Sequence, residues 1–153
     1  MKTTLWKKGR STLGALDPLL GSWTAAAEMK TGATTVMKVR CSRTFAPVLG
    51  GKYIQLQARW EFEKGRYDEL AIFGAARGGI VFWSFTSDGN RSQGRTTDGK
   101  DVHAEAIAFA AKMPAGLARM IYWPDEEGGF HWAVEARTKK GWKRFTEHHY
   151  RPL

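Results

Sequence analysis

The feature that most constrains this chain is a series of nine glycine-bearing turns that cut it into short, alternating segments. They are Thr31-Gly32, Gly50-Gly51, Lys64-Gly65, Gly78-Gly79, Asp88-Gly89-Asn90, Asp98-Gly99, Pro114-Ala115-Gly116, Gly128-Gly129 and Lys140-Gly141. Their spacing, roughly 10 to 18 residues, suits hairpins and leaves no room for the crossover helices of a parallel sheet. Between turns the apolar residues recur with a period of two. In 53–62, Ile54, Leu56, Ala58, Trp60 and Phe62 share one face, opposite Tyr53, Gln55, Gln57, Arg59 and Glu61. In 130–137, Phe130, Trp132, Val134 and Ala136 oppose His131, Glu135 and Arg137. One dry face and one wet face mark antiparallel strands over a core. Residues 104–112 are rich in alanine, yet the parity of His103, Glu105, Ile107 and Phe109 assigns them to a strand. Nine turns separate ten strands, and a meander of that length hides its two edges by closing on itself. The expected fold class is all-β, an up-and-down antiparallel barrel of about ten strands.

A helical plug is expected at its entrance. Ser11 or Thr12 caps a short helix carrying Leu13 and Leu16. Pro18 lacks an N–H, so the helix is expected to break there, with Asp17 capping a second turn. Leu13, Leu16, Leu19 and Leu20 then form the apolar plug, and Gly21-x-Trp23 opens the first strand. Residues 1–10 carry Lys2, Lys7, Lys8 and Arg10 and read as a basic arm; residues 11–153 form one domain.

Composition narrows the class. The 153 residues are enough for a single core, and 42% hydrophobic content argues against disorder. The lone cysteine, Cys41, cannot pair internally and fits a reducing cytoplasm. No apolar run reaches the roughly 18 residues of a membrane helix, and the first ten residues lack the apolar core of a secretory signal. The net charge of +9 is spread along the chain, which reads as a basic surface and disfavours nucleic acid as the partner. A basic nucleic-acid or protein interaction module, with Trp6, Trp83 or Trp142 as stacking groups, is the further alternative.

The helix leading into Leu19-Leu20-Gly21-Ser22-Trp23, followed by a strand meander, resembles the calycin superfamily of lipocalins and fatty-acid-binding proteins. The turn Leu49-Gly50-Gly51-Lys52-Tyr53 extends the similarity to small bacterial lipocalin-like domains of unknown function. The resemblance implies that Trp23 closes the base of the barrel and that the interior takes a small ligand. Nitrobindin-like haem-binding barrels have a related entrance with glycines after the Trp and a histidine ligand near the C-terminus. Here Thr24-Ala25-Ala26-Ala27-Glu28 replaces those glycines, while His148 and His149 stand near the histidine position. Fatty-acid-binding proteins hold a carboxylate with Arg-x-Tyr on the last strand, and His148-x-Tyr150, with Arg144 before it, is the loose analogue.

The candidate site is the barrel lining. Met37, Trp60, Trp83, Phe85, Met120, Tyr122 and Trp132 are expected to supply its wall. On the last strand, Trp142, Arg144, Thr146, His148 and Tyr150 share one face; if inward, Arg144, His148 and Tyr150 orient a polar head group. The expected ligand is a small hydrophobic or anionic amphipathic molecule, bound without cofactor or metal. The alternative is an enzyme or haem-binding barrel using interior His, Glu or Tyr, with Glu105, His148 and Tyr150 as the acid–base candidates. Gly94-Arg95-Thr96-Thr97-Asp98-Gly99-Lys100 has phosphate-loop spacing, but Asp101 stands where Ser or Thr would hold magnesium, and Asp98-Gly99 reads as a hairpin. Residues 80–85, apolar on both faces, leave room for a homodimer contact.

Overall fold

The computed structural model describes residues 5–30 and 34–153. Ten antiparallel strands close into one barrel: β1 (Gly21–Lys30), β2 (Val36–Val48), β3 (Tyr53–Phe62), β4 (Gly65–Ala76), β5 (Gly79–Thr86), β6 (Arg91–Thr97), β7 (Ile107–Met113), β8 (Gly116–Pro124), β9 (Phe130–Thr138) and β10 (Gly141–Pro152). Each strand pairs with its neighbours in sequence, and β10 returns to β1. The glycine turns fall between strands as expected, except that Thr31-Gly32 lies outside the described residues. At Leu49-Gly50-Gly51 the backbone takes positive φ at three successive positions, 52°, 67° and 79°. Glycine meets that demand at no steric cost, so the pair fixes this hairpin. Two boundaries differ from the sequence expectation. Asp98-Gly99 opens a longer connection rather than a tight hairpin, and residues 104–106 belong to that connection, with β7 starting at Ile107.

The plug is one 3-10 helix, Leu13–Leu19, with Pro18 inside it. The expected break is absent: the helix runs through Pro18, and the bonds at its two ends (Gly14 N–H to Ser11, Ala15 N–H to Thr12, Leu20 N–H to Asp17) ask no N–H of the proline. Thr12 makes no side-chain cap; Ser11 Oγ accepts from Gly14 N–H at 3.0 Å instead. Leu16 and Leu19 are fully buried, with Leu13 and Leu20 packed beside them. Trp23 Nε1 donates to the Leu19 carbonyl at 2.8 Å, and its indole stands edge-on to Phe130 with centroids 4.8 Å apart. Residues 5–10 lie against this end: Trp6 packs on the core, Gly9 N–H donates to the Gly14 carbonyl, and Lys8 pairs with Glu105 at 3.7 Å.

Two parity shifts decide which side chains reach the interior. On β5 the inward set is Ile80, Phe82 and Ser84, all buried, so Trp83 and Phe85 stand on the outer face, 40% and 48% exposed. This corrects their assignment to the lining. Both faces of 80–85 are apolar, and parity within the segment gave no way to choose between them. On β10 a bulge at Phe145 shifts the register: Arg144 pairs with Glu135, whereas Thr146 pairs with Val134. One inserted residue exchanges the faces before and after it. Trp142 and Arg144 therefore point outward, while Thr146, His148 and Tyr150 keep the inward parity, and Arg144 leaves the predicted head-group set.

The plugged half of the interior is filled by aromatic rings. Phe73, Phe82 and Phe109 pack mutually at 5.2 to 5.8 Å, Phe45 meets Tyr122 at 5.9 Å, and Phe130 stacks on Tyr150 at 5.1 Å. No helix among the described residues is long and apolar enough to cross a membrane.

Candidate functional site

Toward the other end the wall opens. β1 and β2 pair over ten positions, but β1 and β10 pair at only two, Trp23 with Pro152 and Thr24 with Arg151. Beyond Thr24 the two strands part. A cavity of about 830 Å³ occupies the parting, lined by Ala27, Trp60, Phe62, Tyr67, Trp132, Thr146 and His148, with Ala26, Glu28, Phe145 and Glu147 also around it. Trp60 stands 6.4 Å from Trp132 and 5.5 Å from Tyr67, centroid to centroid. A cavity of this size, mostly apolar with a few polar groups, is typical of a small-molecule site.

Beneath it lies a charge the sequence reading did not single out. Arg43, on β2, is fully buried inside the barrel. Its Nη2 donates to Tyr122 Oη at 3.0 Å and approaches Met120 Sδ at 4.0 Å. Its guanidinium lies over the rings of Trp132 (4.6 Å), Tyr122 (5.6 Å), Tyr150 (5.8 Å) and Trp60 (5.9 Å). The nearest carboxylate oxygen, Glu69 Oε1, is 3.8 Å away, and the other oxygen of Glu69 accepts from Ser84 Oγ. Nε and Nη1 of Arg43 are buried without a hydrogen-bond partner among the described residues. Burial opposes the charge, but Tyr122, Tyr150 and Glu69 outweigh it and raise the Arg43 pKa, so the guanidinium remains a cation. A buried donor left unsatisfied costs about 1–3 kcal/mol, more when charged, partly offset here by the ring faces.

The neighbours take their protonation states from the same surroundings. Burial, helped by the Arg43 charge, pushes His148 down to about 4, so the imidazole is neutral at pH 7; its Nδ1 lies 3.4 Å from Tyr150 Oη. Burial raises Tyr150 and Tyr122 more than Arg43 lowers them, keeping both phenols protonated as donors. Burial also lifts Cys41 to about 11, which keeps it a thiol and removes it as a nucleophile.

The sequence candidates thus divide. Trp60, Trp132 and His148 line the cavity, and Met120, Tyr122 and Tyr150 gather one layer deeper around Arg43. Met37 lines a separate cleft of about 540 Å³ with Phe62, Gly65 and Tyr67. Trp83, Phe85 and Arg144 are outside. Glu105 lies in the connection before β7, paired with Lys8 and not grouped with His148. The inward position of Arg43 was legible only as parity: Val39, Cys41, Arg43 and Phe45 form one buried face of β2, and an arginine within an apolar face was the available signal.

On the outer face a second buried arginine, Arg119, is fully engaged. Nε donates to Glu135 at 2.9 Å, Nη1 to the Asp98 carbonyl and Asp101, and Nη2 to Asp101 and Glu135, while Trp142 packs 4.7 Å from the guanidinium. Arg144 adds a bond to Glu135 at 3.1 Å. The segment with phosphate-loop spacing is strand and turn, and its Asp101 belongs to this network.

No family model and no curated protein matches the chain. A solved structure, the crystal structure of Rv2717c from M. tuberculosis, is similar with a TM-score of 0.62 at 14% identity, covering 96% of this chain and 99% of that one. At that identity the likeness concerns the fold alone, a closed antiparallel barrel consistent with a calycin-like architecture.

Proposed function

We propose that this is a lipocalin-like barrel that binds a small amphipathic anion, apolar body in the cavity and carboxylate head toward Arg43. The carrying observation is the buried guanidinium with Nε and Nη1 unpartnered. Nε–H and Nη1–H point to different sides of the guanidinium, so each can donate one bond to an anionic head group, and charge-assisted bonds of this kind are about twice as strong as neutral ones. Protonated Tyr122 and Tyr150 add donors of the kind an anion needs. The body of the ligand gains roughly 25 cal/mol per Å² of apolar area buried on Trp60, Phe62 and Trp132. Trp60 and Trp132 line the cavity and also lie against the Arg43 guanidinium, so entry of the head group requires these indoles to move aside. The test is quenching of tryptophan emission by medium-chain carboxylates, with native mass spectrometry of protein exposed to lipid extract. Saturable binding in the micromolar range is the expected result; absence of any saturable ligand, carboxylate or neutral, would remove the proposal.

A haem is the second reading, favoured by one observation: a neutral imidazole, His148, faces a cavity large enough for a flat ring. His148 would hold the iron, and haem when bound would supply redox and gas-ligand chemistry. Hemin titration distinguishes it, since this reading requires a Soret shift lost in His148→Ala and kept in His149→Ala.

A further inference from the structure

We propose a divalent transition-metal site on the outer face of the barrel, built from Asp125, His131 and His149. The three residues converge from the β8–β9 turn, β9 and β10. Each offers one ligand atom, and these atoms lie within 4.8 Å of one another. Nitrogen and carboxylate donors in this number are the set that zinc, nickel and cobalt favour.

The fold holds each donor in place. Asp125 Oδ1 accepts from the Glu127 and Gly129 N–H groups at 2.7 and 3.0 Å, which leaves Oδ2 facing His149 Nε2. His131 is paired across the sheet with both Trp123 and His149. Its ring is sandwiched between theirs, with centroids 5.1 and 4.6 Å away. An independent observation singles out the same cluster: the His131 Nδ1 atom is buried and has no hydrogen-bond partner among the described residues. Glu147 also faces the cluster, and Arg144 is the opposing charge.

The stacked rings direct their nitrogens side by side rather than at one point. Tetrahedral ligands about 2.0–2.2 Å from a metal sit roughly 3.4 Å apart, so the direct His149–Asp125 contact must open while the most distant donors draw in by about an ångström. The His149 side chain, 39% exposed, is the one with room to rotate and make that adjustment. A bound ion would then tie the β8–β9 turn to β10 beside the short β1–β10 seam.

The test is calorimetric titration of the full-length, tag-free, chelator-treated protein with zinc, nickel and cobalt chlorides, with the cobalt visible spectrum as a second readout. One ion per chain is expected, with affinity falling at least tenfold in His149→Gln, in His131→Gln and in Asp125→Asn. Circular dichroism verifies folding, and His149→Gln, at a half-exposed position, keeps the test decisive if a buried variant fails to fold. Absence of saturable binding overturns the proposal. So does binding unchanged in His149→Gln, or binding lost instead in His148→Gln, which would place the ion in the cavity.

Discussion

The barrel buries two arginines, and it treats them in opposite ways. Arg119, on the outer face, spends every nitrogen on Glu135, Asp101 or the Asp98 carbonyl. Arg43, in the interior, has one phenol, a distant sulfur, the Glu69 carboxylate at 3.8 Å and four ring faces, with two nitrogens left over among the described residues. The same chain can therefore satisfy a buried guanidinium completely when the fold requires it. The difference teaches that Arg119 is structural, whereas Arg43, whose nearest carboxylate oxygen is 3.8 Å away, keeps unused donors beside the cavity.

The sharpest way to break this comparison is to remove both cations by the same substitution. Arg119→Met leaves Glu135 buried with only Arg144, and should cost about 3–5 kcal/mol in urea unfolding. Arg43→Met replaces an under-partnered charge with an apolar chain of similar length, and should change stability by no more than about 1 kcal/mol or raise it. Equal losses in the two variants would make Arg43 structural and erase the distinction.

Acid sharpens the comparison on the interior side. The folded pKa of His148 lies near 4, below its unfolded value near 6.5, so the unfolded chain binds more protons between those values. Stability is unaffected by this group above about pH 6.5 and falls as pH drops from there toward 4. His131, also held low, acts in the same direction. Urea midpoints at pH 7, 5.5 and 4.5 should decline in the parent and decline less in His148→Gln. An identical decline would show that the Arg43 neighbourhood does not keep His148 neutral.

The smallest effect is expected outside. Trp83→Ser, on the outer face of β5, should leave stability within about 0.5 kcal/mol and ligand affinity unchanged. A measurable loss of affinity would return Trp83 to the lining.

The barrel was legible because its signals are local: glycine at the turns and period-two alternation between them. The site was legible only where alternation was clean. Trp60 and Trp132 sit on strands with one apolar face, and both line the cavity. On β5, where both faces are apolar, parity could not choose, and the expectation fell on Trp83 and Phe85 instead of Phe82 and Ser84. On β10 the bulge at Phe145 carries no sequence mark, and unbroken alternation carried Arg144 inward with His148. Arg43 was hidden for the complementary reason. A charged residue on a strand is ordinarily solvated, and only closure of the barrel, bringing β2 opposite Tyr122, Trp132 and Tyr150, makes it a buried cation.

The most direct measurement compares a medium-chain carboxylate with its matched alcohol in the parent protein and in Arg43→Met. The carboxylate should bind the parent at least tenfold more tightly than the alcohol, and that preference should vanish in Arg43→Met while alcohol binding persists. An equal preference in both proteins would contradict the assignment of Arg43 as the head-group receptor.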